Sequence, residues 1–523
     1  MAALTRIAER LLARPLLLAP AIGALAALGF EPLHLWPLTL LGIAWLTVAM
    51  ATAASRKRAF LTGWLWALGH FCTGNFWIAT SFTYQAEMPA WLGFVGVFFV
   101  SVYIAVYPAL ATLAAWHVRR RPLALVLAFA GAWIVTEWLR SWVFTGFAWN
   151  PLGAALLGPF DGQGLAPLTR GIGTYGLSGV LVLIAGLLLA IGRGRRGMFA
   201  ALVLVAVLVP MGLTGLIPAP QGKVAYTLVQ PNIAQQDIDN PATYEDQFQR
   251  LARNTLPRTR GEQRLVLWPE SGLPDYLREG YPRYYYEDTT YAADPVLARR
   301  RIGAVIGPGA LLLTGAVDLE MQGDDVLGAR NTVTALGPDG ALRGSYAKAH
   351  LVPYGEYLPM RRLLQPLGLS RLVAGSLDFL PGPGPRSLDF GPYGKAGFQI
   401  CYEIVFSGQV VDRANRPDYI FNPSNDGWFG AWGPPQHLAQ ARLRAIEEGL
   451  PVLRSTTSGI SAVIDADGIV RAQIPRFVSA RLDGRIPPAH APTLFARFGN
   501  MLPLGLATIL LGLSLLVLRR ARR

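Results

Sequence analysis

The 523 residues are 52% apolar and only 15% charged, a balance too greasy for an ordinary soluble protein and too charged for a purely intramembrane one. The net charge of +14 suggests a nucleic-acid partner until it is subdivided: residues 217–498 hold 29 basic and 28 acidic residues, leaving 18 basic against 5 acidic elsewhere. The surplus flanks the apolar runs, where it is a topology signal and not a nucleic-acid footprint.

In chain order, apolar runs long enough for a hydrocarbon core of about 20 residues lie near 15–30, 36–54, 59–78, 91–115, 123–142, 172–191, 198–216 and 499–518, eight expected spans. Basic clusters mark every second turn: Arg6, Arg10 and Arg14; Arg56 to Arg58; Arg119 to Arg121; Arg193, Arg195 and Arg196; Arg519 to Arg523. The turns around Glu31, Glu87 and Asp161 are nearly free of them, so both termini are expected in the cytoplasm. The first run has a basic flank like a signal peptide but no small-residue cleavage site after it, and is read as retained. Cys72 falls inside the third span and Cys401 far from it in the extramembrane block, so Cys401 is expected as a free thiol.

The block 217–498 is expected to be one extramembrane α/β domain between a seven-span segment, 1–216, and a last span with its basic tail, 499–523. Short β-rich runs bounded by turn residues predict strands at Val224–Gln230, Leu265–Trp268, Leu311–Val317, Thr332–Leu336, Lys395–Ile400, Tyr419–Asn422, Val452–Ser455 and Ser461–Ile464. Helical patterns cover Tyr244–Arg260 and Pro435–Glu448, and Pro338-Asp339-Gly340 and Asp465-Ala466-Asp467-Gly468 read as hairpin turns. Strands alternating with helices predict layered packing. The segment Tyr354–Pro385 mixes leucines with Arg361, Arg362 and Arg371, a pattern that fits either a lipid interface or packing on its own domain.

Three stretches place reactive side chains at strand ends, where α/β folds assemble sites. Leu265-Val266-Leu267-Trp268-Pro269-Glu270 delivers a carboxylate, Tyr346-Ala347-Lys348 an amine, and Gly397-Phe398-Gln399-Ile400-Cys401 a thiol. A free thiol titrates near 8.5, so a base such as Glu270 must take its proton before it attacks an ester. The oxyanion then needs fixed donors, for which Lys348 and the backbone N–H of Tyr402 are the candidates. A thioester so formed reacts readily with an amine, Glu270 again serving as base.

In this order the three stretches resemble the nitrilase superfamily, which implies a Glu, Lys and Cys triad on an α-β-β-α sandwich. A nitrilase-like domain between seven leading spans and one trailing span is similar to the apolipoprotein N-acyltransferase family. The motifs His350-Leu351-Val352-Pro353-Tyr354-Gly355-Glu356-Tyr357, Cys401-Tyr402-Glu403, Ser424-Asn425-Asp426-Gly427-Trp428-Phe429-Gly430 and Glu137-Trp138-Leu139-Arg140 carry that resemblance. It departs at Gly427, where the family often has Ala, and in Gln230–Gln236, which lacks the Trp some members have.

The resemblance implies a bacterial inner-membrane enzyme with a periplasmic catalytic domain. Its acyl donor would be a membrane phospholipid, and its acceptor the α-amino group of the diacylglyceryl-cysteine that begins an apolipoprotein. It also implies that Asn331 and Trp428 line the acyl pocket. Glu356 is expected to meet the Lys348 ammonium or the incoming amine, and Glu403 to orient its loop. Glu137 and Arg140, three apart on one helical face, form either a structural pair or a lipid-headgroup site. A Cys–His dyad through His350 or His437 is the mechanistic rival. The six His residues form no cluster at ligand spacing, and no phosphate-loop or dinucleotide fingerprint occurs, so neither metal nor cofactor is expected.

Overall fold

The computed structural model describes residues 13–84, 89–189, 194–215, 218–219, 221–259, 261–364, 366 and 378–520. The chain divides into two compact units, one of residues 1–80, 90–217 and 492–523, the other of residues 81–89 and 218–491. The second unit therefore begins before the expected domain, taking in Ser81–Pro89, and ends at Ala491, before the expected boundary at residue 498.

The first unit is helical. Among the described residues, four helices are long and apolar enough to cross a membrane: Leu92–Trp116, Pro122–Arg140, Ala166–Leu188 and Met501–Arg520. Pro15–Ala27, Trp36–Ala51 and Gly197–Gly212 are shorter apolar helices. The run expected at 59–78 forms the helix Arg56–Gly74, whose first turn carries three basic residues; 19 residues rise roughly 28 Å. Small residues let these helices touch backbone to backbone, as membrane helices require in the absence of a hydrophobic drive between them. A Cβ on Gly23 would lie 1.8 Å from the Trp66 carbonyl oxygen, and one on Gly69 would lie 1.9 Å from that of Pro20.

Among the described residues, the second unit holds two six-stranded sheets. With strands numbered along the chain, the first contains β1 (Ala225–Gln230), β2 (Arg264–Leu267), β3 (Ala310–Gln322), β4 (Asp325–Leu336), β5 (Leu342–Ala347) and β12 (Ala480–Arg485), in the order β12-β1-β2-β3-β4-β5. The second contains β6 (Ser387–Asp389), β7 (Lys395–Phe398), β8 (Tyr419–Ser424), β9 (Val452–Thr456), β10 (Ser461–Ile464) and β11 (Val470–Ile474), in the order β11-β10-β9-β8-β7-β6. β1, β2 and β3 run parallel, as do β7, β8 and β9.

The strand period of two divides the core. Leu265 and Leu267 join Leu228, Leu313, Phe398, Phe421 and Leu453 between the sheets. The alternate residues Val266 and Trp268 face outward to Phe248, Leu251, Ile302 and Ile306 of the helices Tyr244–Thr255 and Pro295–Ile306. A helix, Gly433–Glu448, is buried along its whole length. This is the expected α-β-β-α arrangement.

Both expected hairpin turns are found, Pro338-Asp339-Gly340 joining β4 to β5 and Asp465–Gly468 joining β10 to β11. The helix expected to reach Arg260 stops at Thr255, two residues before Pro257, where a helix cannot readily continue. Strands β5, β6, β11 and β12 were not expected. They are the four edge strands of the two sheets, of mixed polarity, and a neighbour's ladder, not their own composition, makes them strands. Of the arm Tyr354–Pro385, residues 365 and 367–377 lie outside the described residues.

Candidate active site

Glu270 and Cys401 follow the carboxyl ends of the parallel strands β2 and β7, and Lys348 follows β5. Pro269 ends β2, and β3 passes close behind it. A Cβ on Gly315 would lie 2.7 Å from both the Glu270 Cα and the Pro269 carbonyl oxygen, so only glycine allows that approach. Lys348 is pinned by its main chain, its N–H donating to the Asn331 carbonyl at 2.9 Å and its own carbonyl accepting from Gly382 N–H at 2.7 Å.

The side chains meet in a buried cluster. Lys348 Nζ lies 2.9 Å from Glu356 Oε1 and 3.4 Å from Glu270 Oε1. Asn331 Nδ2 donates to the same two oxygens, at 3.0 and 2.7 Å. Glu270 Oε2 accepts from the Asn425 N–H at 2.8 Å, and Glu356 Oε2 from Val352 N–H at 2.7 Å. Asn331, expected at the acyl pocket, is thus the bridge that keeps two carboxylates in register around one ammonium. Burial pulls the Lys348 pKa down, but Glu356 and Glu270, with Cys401, more than offset it, and the ammonium is held above its ordinary value. Of the two carboxylates, Glu356 makes the closer contact, so Glu270 shares Lys348 more loosely.

Cys401 opens a short 3-10 turn, Cys401–Val405, and adopts φ 51°, the left-handed region. Such a conformation costs a non-glycine residue about 1–3 kcal/mol and survives only where its surroundings impose it. Burial, then the Glu270 carboxylate, push the thiol well above its ordinary pKa, while Lys348 pulls it down. The resting group is therefore the thiol, and reaction needs a base.

Glu403 supplies part of that imposed geometry. Its Oε2 accepts from Ile400 N–H at 2.8 Å, and its Oε1 accepts from Ala349 N–H at 2.7 Å, His350 N–H at 3.2 Å and the Tyr346 hydroxyl at 2.8 Å. One buried carboxylate thus ties the Cys401 loop to the Lys348 loop. Burial raises its pKa to about 7 against the pull of these donors.

Neither histidine of the rival dyad is set as a base. His350 stacks on Phe406 at 4.2 Å between centroids. His437 Nε2 lies 3.0 Å from the Cys401 carbonyl oxygen, a main-chain partner. Its other side meets Asp426 and Arg454, and Arg454 is a residue that sequence reasoning missed. Its signal was a charge in the middle of the expected strand Val452–Ser455, which β9 buries.

Trp428 lies in the turn Asp426–Phe429. Its carbonyl accepts from Ser81 Oγ at 3.1 Å, and its ring meets Tyr84 edge-on at 5.7 Å. These two residues were not expected at the site. The two departures from the family pattern adjoin here: a Cβ on Gly427 would lie 2.8 Å from Gln235 Oε1, an oxygen that accepts from Asn425 Nδ2 at 2.8 Å. Gln235 fills the room an alanine methyl would need.

In the helical unit, Glu137 Oε1 lies 3.9 Å from Arg140 Nη2 and accepts from Leu152 N–H at 2.7 Å, while Arg140 Nη1 donates to the Trp149 carbonyl at 2.9 Å. Both side chains hold the loop that follows their helix. Among the described residues no three His, Cys, Asp or Glu cluster as metal ligands do.

Comparison with known proteins identifies two family regions. Residues 22–187 match the family described as Apolipoprotein N-acyltransferase N-terminal domain, and residues 227–489 the family described as Carbon-nitrogen hydrolase. The apolipoprotein N-acyltransferase of Rhodopseudomonas palustris is 33% identical, over 94% of this chain and 93% of that one. That of Bradyrhizobium diazoefficiens is 34% identical, over 97% and 95%. That of Haemophilus influenzae is 30% identical, over 92% and 90%.

Proposed function

Because the chain belongs to the apolipoprotein N-acyltransferase family and is an integral membrane enzyme that N-acylates apolipoproteins, we propose that it does so in two steps through a thioester on Cys401, with a membrane phospholipid as donor. The observation that supports this is the buried cluster in which Lys348 contacts both Glu356 and Glu270, the Glu270 and Lys348 charges of that cluster acting in turn on Cys401.

In the first step Glu270 takes the thiol proton as Sγ attacks the ester carbonyl of the phospholipid. The oxyanion is stabilised by Lys348 Nζ and the Tyr402 N–H. It collapses with cleavage of the acyl C–O bond, and Glu270 returns the proton to the leaving lysophospholipid oxygen. In the second step the α-amine of the diacylglyceryl-cysteine attacks the thioester. The amine proton passes to Glu270, the C–S bond breaks and the thiolate takes the proton back. Glu356 orients Lys348 through both, and Trp428 with Tyr84 forms an aromatic wall suited to an acyl chain.

The test is incubation with radiolabelled phospholipid followed by a chase with an apolipoprotein. Hydroxylamine-sensitive label should form on Cys401 and then move to the acceptor. Label that leaves only to water would make the chain a hydrolase.

The helices are read as eight spans, with residues 217–498 periplasmic and both termini cytoplasmic, from the alternation of basic turns. Reporter fusions placed after Pro220 and after Arg523 should be active in the periplasm and the cytoplasm respectively; cytoplasmic activity at Pro220 would overturn the orientation.

A further inference from the structure

Behind Cys401 lies a charged network that the two-step scheme does not use. Arg454 Nη2 makes a forked contact with Asp426, at 2.6 Å to Oδ1 and 2.8 Å to Oδ2, and its Nη1 donates to Asn422 Oδ1 at 2.5 Å and Ser424 Oγ at 2.9 Å. His437 sits against this pair, Nδ1 lying 2.9 Å from Arg454 Nη2 and 3.1 Å from Asp426 Oδ1. All three side chains are sealed from solvent. On its far side the imidazole reaches Cys401, at the main-chain carbonyl and 3.0 Å away.

A carbonyl oxygen only accepts, so Nε2 carries the proton in this contact whether the ring is neutral or charged. Burial and the Arg454 guanidinium lower the ring's pKa. The neutral ring then accepts from Arg454 at Nδ1 and donates to Cys401 from Nε2. Asp426 stays ionised: the Arg454 guanidinium forked against it overcomes its burial and holds it below its ordinary value. The network is a fixed ion pair with a polarised N–H directed at one peptide group.

That peptide group joins Cys401 to Tyr402 and is trans. Its C=O and N–H are coplanar and point in opposite directions. Gripping the Cys401 oxygen therefore sets the direction of the Tyr402 N–H and, by drawing electron density toward the oxygen, makes that N–H a stronger donor. The grip is applied to a residue whose left-handed φ has to be imposed from outside.

We propose that His437, held by Asp426 and Arg454, is a positioning residue for oxyanion stabilisation, acting through the Cys401–Tyr402 peptide and not as a base. This rests on the reading of Cys401 as nucleophile and the Tyr402 N–H as oxyanion donor.

The test compares two reactions of Cys401 in the full-length, detergent-solubilised enzyme. Acylation by p-nitrophenyl butyrate builds an oxyanion, whereas alkylation by iodoacetamide displaces iodide at a saturated carbon and builds none. His437→Leu should slow acylation on the order of a hundredfold, the typical loss for one oxyanion donor, with alkylation at the wild-type rate. His437→Gln, whose amide N–H can still reach the carbonyl, should restore most of the acylation, and the shorter His437→Asn should not. Equal losses in both reactions would place His437 in thiol activation or folding and overturn the proposal, as would unchanged acylation in His437→Leu. If the leucine variant does not fold, the Gln and Asn pair decides, since equal acylation in the two would also overturn it. The aryl ester needs no natural donor, so a wild-type enzyme acylated by it but not by phospholipid would refute the donor reading and leave this one standing.

Discussion

Cys401→Ala is expected to abolish the labelled acyl-enzyme and lower turnover on the order of a millionfold, the scale on which removal of a nucleophile acts. The side chain is only 5% exposed and packs at the edge of the core between the sheets. Loss of one sulfur there should leave the fold intact, so thermal unfolding should change little. Cys401→Ser is the sharper variant because it keeps the shape and the left-handed turn. A hydroxyl is far less acidic than a thiol, and the base beside it is a carboxylate already accepting from Asn331, Lys348 and Asn425. Serine should therefore be nearly as inactive as alanine. Label recovered on Cys401→Ala would put the nucleophile elsewhere, and substantial activity in Cys401→Ser would mean that a stronger base than Glu270 serves the site.

Lys348→Met is expected to lower acylation on the order of a hundredfold or more by removing oxyanion support. It should also destabilise the protein, because it takes the cation from a cluster with two buried carboxylates. Breaking a buried pair by removing one partner typically costs about 3–5 kcal/mol, readable as a fall in the unfolding midpoint. The two effects separate in the double variant Lys348→Met with Glu356→Gln. That change removes one of the two facing charges while Asn331 keeps a partner in Glu270, so stability should recover in part. Activity should not. Recovery of both would reduce Lys348 to a structural cation.

Much of the candidate site was legible because each reactive residue sits where a local signal ends a strand. Pro269 stops β2 before Glu270, and the expected strand Lys395–Ile400 precedes Cys401. Glu356, expected near Lys348 from their spacing, lies 2.9 Å from it. Sequence reasoning placed Asn331 at the acyl pocket only through the family resemblance, and carried no sign that its amide spans Glu270 and Glu356. It offered two roles for Glu137 and Arg140, whose observed bonds go to Leu152 and Trp149 in the loop after their helix.

The sequence by itself determined what neighbouring residues decide: which runs are apolar enough to leave water, the strand ends that precede Glu270, Lys348 and Cys401, and the turns at Pro338 and Asp465. These follow from side-chain hydration and local backbone preference, which act within a few residues. Only the tertiary structure decided that β5, β6, β11 and β12 are strands, that Ser81 and Tyr84 join Trp428, that four donors converge on Glu403, and that His437 turns to the Cys401 carbonyl while Arg454 is buried against Asp426. Each of these depends on residues brought together from separate elements, and which atoms meet is set by strand register and by the need to satisfy every buried polar group at once. A single position carries no local trace of a partner that the rest of the fold selects.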